Sequence, residues 1–190
     1  MFLIPWLIVC SCYHVSDAER YQMLVLAEMK TDIKRNSIFL HLKLGMGEKE
    51  FYDYCWKMNA KKLFSNSHDN SAVVYYLNKD LKSPAIFKFS PEFSQGKLFK
   101  MKICAYYTAF APWNQQLFAD SLQLDLVGLF KTWYGPKNYL RIKSVTGGLS
   151  LIRVDGNRQI KIQKLSEKDV SIEYTDLFIE KLLHDNPSSS

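Results

Sequence analysis

Residues 120–136 read DSLQLDLVGLFKTWYGP, and the 29 positions that follow, to Leu165, alternate apolar and polar residues in short runs. Leu122, Leu126, Leu129/Phe130 and Trp133 fall three or four apart, one face of a helix. The reading gives a helix from Asn114 to Tyr134, strongest from Asp120 onward. Gly135-Pro136 ends it, because glycine adopts the backbone a helix end requires and proline cannot continue the helix. The pattern then changes to period two. Tyr139–Val145 and Leu149–Asp155 read as strands joined through Gly147-Gly148, and Asp155-Gly156-Asn157 makes a tight turn into Arg158–Leu165. Val170–Tyr174 is a further strand. Asp176–Leu183 is a closing helix with Thr175 or Asp176 as its cap.

The first part of the chain has the same plan. Gly47 as cap puts Met46 before it and Phe51 four positions inside, where the two apolar side chains can clasp the helix start. Glu50 then stands where its carboxylate can reach back to the cap N–H. Phe51, Tyr54/Cys55 and Met58 form the apolar stripe. Strands follow at Val73–Leu77, Ala85–Phe89 and Lys97–Tyr107, the last two joined as a hairpin around Ser94-Gln95-Gly96. In Lys97–Tyr107, Phe99, Met101, Ile103, Ala105 and Tyr107 alternate with Lys100, Lys102, Cys104 and Tyr106, so the lysines are expected to face solvent or a sheet edge. Ile38, Leu40, Leu42 and Leu44 alternate with Phe39, His41 and Lys43, which predicts one more strand, ended by Gly45.

Helix then strands, twice, is an α+β arrangement: helices packed on one face of an antiparallel sheet, in two similar halves. The halves cover about 38–110 and 114–184 of a single domain, 38–184. Residues 13–37 read as a tether or short helix with Tyr21, Leu24 and Met29 on one face. Residues 185–190 read as a frayed tail.

At 190 residues and 22.2 kDa the chain is long enough for one real core. Its 47% hydrophobic content excludes disorder, and no apolar run reaches the roughly 18–20 residues of a membrane span. The net charge is +6, carried mostly by lysine, with arginine only at positions 20, 35, 141, 153 and 158. Arginine is the residue of bidentate phosphate and base contacts, so this balance argues against nucleic acid. Cys55 and Cys104 lie in apolar patterns and read as buried thiols; export would favour a disulfide between them.

The N-terminus suggests a compartment. Phe2–Val9 is short, apolar and uncharged, and Val9-Cys10-Ser11-Cys12 is similar to a bacterial lipoprotein box with Cys12 as the lipidated residue. The stretch departs from the signal pattern in having no Lys or Arg before Arg20, where a signal usually starts with a basic segment. Residues 1–12 are therefore expected to be a lipoprotein signal, placing the protein in the cell envelope, facing the periplasm or on the outer membrane. Translation from Met23 or Met29 would instead leave it cytoplasmic.

Leu44-Gly45-Met46-Gly47-Glu48-Lys49-Glu50-Phe51 resembles the L-G-M-[ST]-x-x-E strand-to-helix junction of small bacterial envelope lipoproteins. These include the outer-membrane-assembly lipoproteins and folds like the β-lactamase inhibitors. Gly96-Lys97-Leu98-Phe99 and Trp133-Tyr134-Gly135-Pro136 also resemble exported bacterial proteins of that shape. Gly47 departs from the pattern by lacking the cap hydroxyl. The resemblance implies binding or assembly without catalysis and carries no functional residue onto this chain.

No phosphate loop, dinucleotide fingerprint, G-x-S-x-G or H-E-x-x-H occurs, and His14, His41, His68 and His184 are scattered. No cofactor or metal is implied: Cys10-x-Cys12-x-His14 lacks a second ligand pair, and Asp155-x-Asn157 lacks the later carboxylates of a calcium loop. Tyr106, Tyr107, Phe110 and Trp113 form an aromatic run between the halves, with no Lys or Arg from Ala105 to Asn114. It is a candidate binding surface, but its expected role is to roof the core, with Trp113 packed inward on Leu117 and Phe118. The leading functional expectation is a non-catalytic, envelope-anchored binding or assembly module. It would meet a protein partner or small ligand and touch the membrane through its lipid alone. The alternatives are a cytoplasmic interaction protein of the same fold and an enzyme whose site has no sequence motif.

Overall fold

A computed structural model describes residues 15–68, 71–143 and 148–185. Helix α1 spans Asp17–Met29 and α2 spans Glu48–Ala60. Strands β1 (Phe64–Asn66), β2 (Val73–Leu77), β3 (Ala85–Ser94) and β4 (Lys97–Tyr107) follow. Helix α3 (Ala119–Tyr134) then leads into β5 (Leu140–Lys143), β6 (Leu149–Asp155), β7 (Arg158–Lys164) and β8 (Val170–Asp176), and α4 (Leu177–Asp185) closes the chain. The eight strands form one antiparallel sheet in the order β1-β2-β3-β4-β8-β7-β6-β5. Each half is thus a helix followed by a four-strand meander, and the last strands of the two meanders meet at the centre of the sheet, pairing Ile103 with Ile172.

Helices α2 and α3 lie on the core face, over Phe87, Phe89, Met101, Ile103, Ile160, Ile162 and Ile172. On the reverse face α4 follows β8, with its Glu180 reaching Lys100 of β4, and α1 lies over the second half. There Tyr21, Leu24, Val25 and Met29 of α1 cover Ile142, Ile152 and Val154. Of the two readings for this segment, tether or short helix, the structure has the helix, packed on the sheet and opened by Ser16 and Glu19 in a reciprocal capping box. The start of α2 has the expected form: Gly47 is the cap, and its N–H donates to Glu50 at 3.4 Å.

Three expectations are corrected. Residues Ile38–Leu44 are not a strand. Leu40 and His41 both adopt positive φ, +48° and +65°, and the chain reverses with Leu42 N–H donating to the Phe39 carbonyl at 2.9 Å. The resulting clasp, 37–43, is wedged between α2 and α3, and Phe39 meets Phe87 and Phe89 edge-on. No strand lies beside it. Three of its carbonyls are satisfied by side chains, Ser37 by Arg158, Ile38 by Tyr134 and Leu40 by Tyr54, and those of Phe39, Leu42 and Lys43 accept backbone N–H groups within the turn. Second, β4 is central, not an edge. Its lysines face the reverse side, where Glu92 pairs with Lys102 and Glu173 and Glu180 pair with Lys100. A bulge opposite Glu92/Phe93 also shifts the alternation, so Leu98, not Phe99, joins the core. Third, residues 115–117 form a separate single turn, and α3 starts only at Ala119.

Gly156, in the two-residue turn between β6 and β7, has φ +56°, and a Cβ there would stand 1.9 Å from the Ile33 carbonyl oxygen. Gly135 has φ +88° at the end of α3 with open space around it. Gly156→Ala should therefore cost more than about 2 kcal/mol, from strain plus backbone overlap, and Gly135→Ala about 1 kcal/mol from strain alone. Denaturant midpoints for the two variants check the order; equal losses would show that residues 30–36 do not press on the turn.

Candidate functional site

Two clefts open on the core side. The first, about 320 Å³, lies between α2 and the ends of β1–β3. Its floor is Phe51, Phe64 and Phe89, all buried, and its walls include Tyr52, Trp56, Val73 and Pro91. Asn59, Asn66 and Ser71 supply polarity, and among the described residues none that lines it is charged. Trp56 is 75% exposed and stands at the rim. The Cys55 thiol is pushed up to about 11 by burial, so it stays protonated at neutral pH and is no nucleophile. Tyr52 and Trp56 are four apart, so α2 turns a second apolar stripe outward beside the Phe51–Met58 stripe it buries. That spacing was available in the sequence.

The second cleft, about 470 Å³, lies against the clasp and is lined by residues 37–43 with Tyr75, Asp80, Trp133 and Tyr134. His41 and Asp80 are its imidazole and carboxylate, and no hydrogen bond joins them among the described residues. Behind it lies a buried ionic cluster. The Asp155 carboxylate accepts from Arg153 Nε at 2.7 Å and from Arg158 at 2.9 Å. Arg153 also donates to the Tyr134 and Gly135 carbonyls, both at 2.8 Å, and Lys137 lies 3.4 Å from Asp155 and 2.5 Å from Glu28. Burial raises the Asp155 carboxyl, but the two guanidinium hydrogen bonds more than offset this and hold it below its ordinary value. Burial pushes the Tyr134 hydroxyl up to about 12. Donors committed to chain carbonyls hold the fold together; they are not displayed to a substrate. The sign of this cluster was visible in the sequence as Arg153 and Asp155 in phase with core Leu151, with Arg158 across the turn.

The aromatic run expected between the halves is dispersed. Tyr107 is fully buried on the core face and donates to Asp125 at 2.5 Å, so it offers no surface. Tyr106 points to the reverse face, with Lys168 and Lys88 at 4.2 and 5.4 Å from its ring. Phe110 stacks on Phe118 at 5.6 Å. Trp113, expected to roof the core, is 86% exposed. The reason is local: residues 114–118 are not α-helical, so Leu117 and Phe118 do not stand at helical spacing to receive its ring. Cys12 lies outside the described residues. Cys55 and Cys104 are both free, on opposite faces of the sheet, which excludes a disulfide between them.

Among the described residues no three His, Cys, Asp or Glu stand where they could hold a metal ion, and no helix is long and apolar enough to cross a membrane. Compared with known proteins, the chain matches no family model, no curated protein and no solved structure.

Trp113→Ala should leave stability within about 0.5 kcal/mol of the parent, because an exposed ring gives up little on truncation; a loss near 3 kcal/mol by thermal or urea unfolding would restore it to the core. Asp155 sets an acid limit. Its folded carboxyl titrates below the unfolded value of about 3.9, so its contribution is complete above that pH and fades as pH falls through the folded value. Asp155→Asn should cost about 3 kcal/mol at neutral pH by stranding two guanidiniums, and should flatten the fall in urea stability below about pH 4. A parallel pH curve in the variant would show that the carboxylate is not the titrating group.

Proposed function

We propose that the protein is a non-catalytic binding module of the cell envelope, held at the membrane through Cys12, whose site is the cleft under α2. The observation that carries the reading is the chemistry of that cleft. Phe51, Phe64, Phe89 and Val73 form an apolar wall and floor, Tyr52 and Trp56 form an aromatic rim, and the polar groups among the described lining residues are neutral. Such a lining favours a neutral ligand with an apolar ring or chain. It disfavours an ion, whose desolvation nothing there would offset. Asn59 and Asn66 can hydrogen-bond a neutral head group at the mouth. The lipoprotein-like N-terminus supports the location and the resemblance to envelope assembly proteins supports the absence of chemistry; both are readings of the sequence.

Nile red, a neutral apolar dye, should bind the protein and brighten, and Trp56→Ala should weaken it at least tenfold with the melting temperature unchanged, since the side chain stands mostly in solvent. Equal dye affinity in parent and variant would remove the cleft as the site. Mass spectrometry of the mature protein checks the anchor separately: a lipid-modified Cys12 as the first residue is expected, and a chain starting at Met1, Met23 or Met29 would refute it.

A further inference from the structure

The two halves of the sheet are built alike but covered unequally. Counted outward from the central Ile103–Ile172 pair, Ile103 leads to Phe89 and Val73, and Ile172 leads to Ile162 and Leu151. Val74 and Tyr76 in β2 therefore hold the places that Ile152 and Val154 hold in β6. All four point to the reverse face. In the second half α1 lies over Ile152 and Val154. In the first half no described helix lies over this side; Val74 is nevertheless buried among its neighbours, at 6% exposure, and it is the row beginning at Tyr76 that stays open. Tyr76 is 49% exposed and continues across the strands into Ile86 and Tyr106 as one apolar row. Lys88 and Lys168 flank the row, and neither has a carboxylate partner among the described residues.

Helix α1 itself is apolar on two sides. Its inner stripe is spent on β5 and β6. Its outer side presents Met23 and Leu26, with Val15 just ahead of the cap; no described residue covers them, Leu26 is 57% exposed, and Glu19 lies along the same shallow groove. The chain thus carries an unpartnered helix stripe edged by a carboxylate and an unpartnered sheet face edged by two lysines. The second is the kind of surface that α1 already covers elsewhere in the fold. We propose that two copies associate through these surfaces, the outer stripe of α1 in each copy lying across the Tyr76–Ile86–Tyr106 row of the other. The contact is made twice, related by a two-fold axis, which closes the pair and stops growth into filaments. The pairing leaves the cleft under α2, on the other face of the sheet, open to ligand.

The test uses the purified full chain in density-matched neutral detergent, followed by sedimentation equilibrium. The parent should be a dimer. Tyr76→Glu and Leu26→Lys, each at a solvent-exposed position, should each raise the dimer dissociation constant at least tenfold while leaving the melting temperature of the monomer unchanged. Mixing the two variants should restore a heterodimer, because the intact helix of the Tyr76→Glu copy meets the intact face of the Leu26→Lys copy. A parent that stays monomeric to high concentration overturns the proposal, as does a dimer that either substitution leaves unaffected or a mixture in which no heterodimer forms. Nile red binding is measured on the same variants below the detergent's micelle concentration, because micelles also take up the dye, so loss of the dimer and loss of the cleft site are read independently.

Discussion

The Asp155 carboxylate, held between the Arg153 and Arg158 guanidiniums, is the interaction on which the rest of the structure depends. Three charged groups inside a core are costly unless each finds its partners. Here they find them in the ends of other elements. Arg153 takes the last carbonyls of α3, which a helix end otherwise leaves unsatisfied, and Arg158 takes the Ser37 carbonyl at the start of the clasp. Asn157, in the adjoining turn, adds the Arg35 N–H and the side chains of Asn36 and Asp176. One hairpin turn thereby joins the second half of the sheet, the end of α3 and the connection from α1 to α2.

That knot explains why the clasp can be irregular. Residues 37–43 lie in the core without a strand or helix of their own, and their backbone polar groups need partners as much as any others. Arg158, Tyr134 and Tyr54 provide them from three different elements. The positive φ values at Leu40 and His41 persist because those contacts and the packing of Phe39 on the sheet determine the loop from every side. The clasp in turn fills the space between α2 and α3, so the two halves share one core, with α3 reaching across to β4 through Asp125 and Tyr107.

The distribution of cover follows from the same topology. Sending the N-terminal segment past the β6–β7 turn lays α1 on the reverse face of the second half, and α4 leaves β8 onto that face beside it. The first half receives nothing equivalent. Its core side is closed by α2 only along the Phe51–Met58 stripe, which leaves the aromatic cleft at the strand ends, and its reverse side keeps Tyr76, Ile86 and Tyr106 at the surface. Both candidate contact surfaces of the sheet thus lie in the half that α1 and α4 do not cover.

The sequence by itself determined the elements whose signals are local. The periodicity of 120–134, the glycine–proline stop, the Gly47 junction and the β2, β3, β4 and β6–β8 strands depend on near neighbours along the chain, and they stand where the pattern places them. Even the twofold plan was legible, because it is a repeat of local patterns. Tertiary structure alone decided what depends on distant partners. A period-two run at 38–44 became a clasp because no strand was free beside it and three side chains could take its carbonyls. Tyr107 found its partner in Asp125 of α3, and Tyr106 found Lys88 and Lys168 on the reverse face, so the aromatic run made no common surface. Trp113 stayed in solvent because the turn after it is not helical. The cleft under α2 exists because Tyr52 and Trp56 meet Phe64, Val73 and Phe89 across the fold, a meeting that no spacing within α2 could specify.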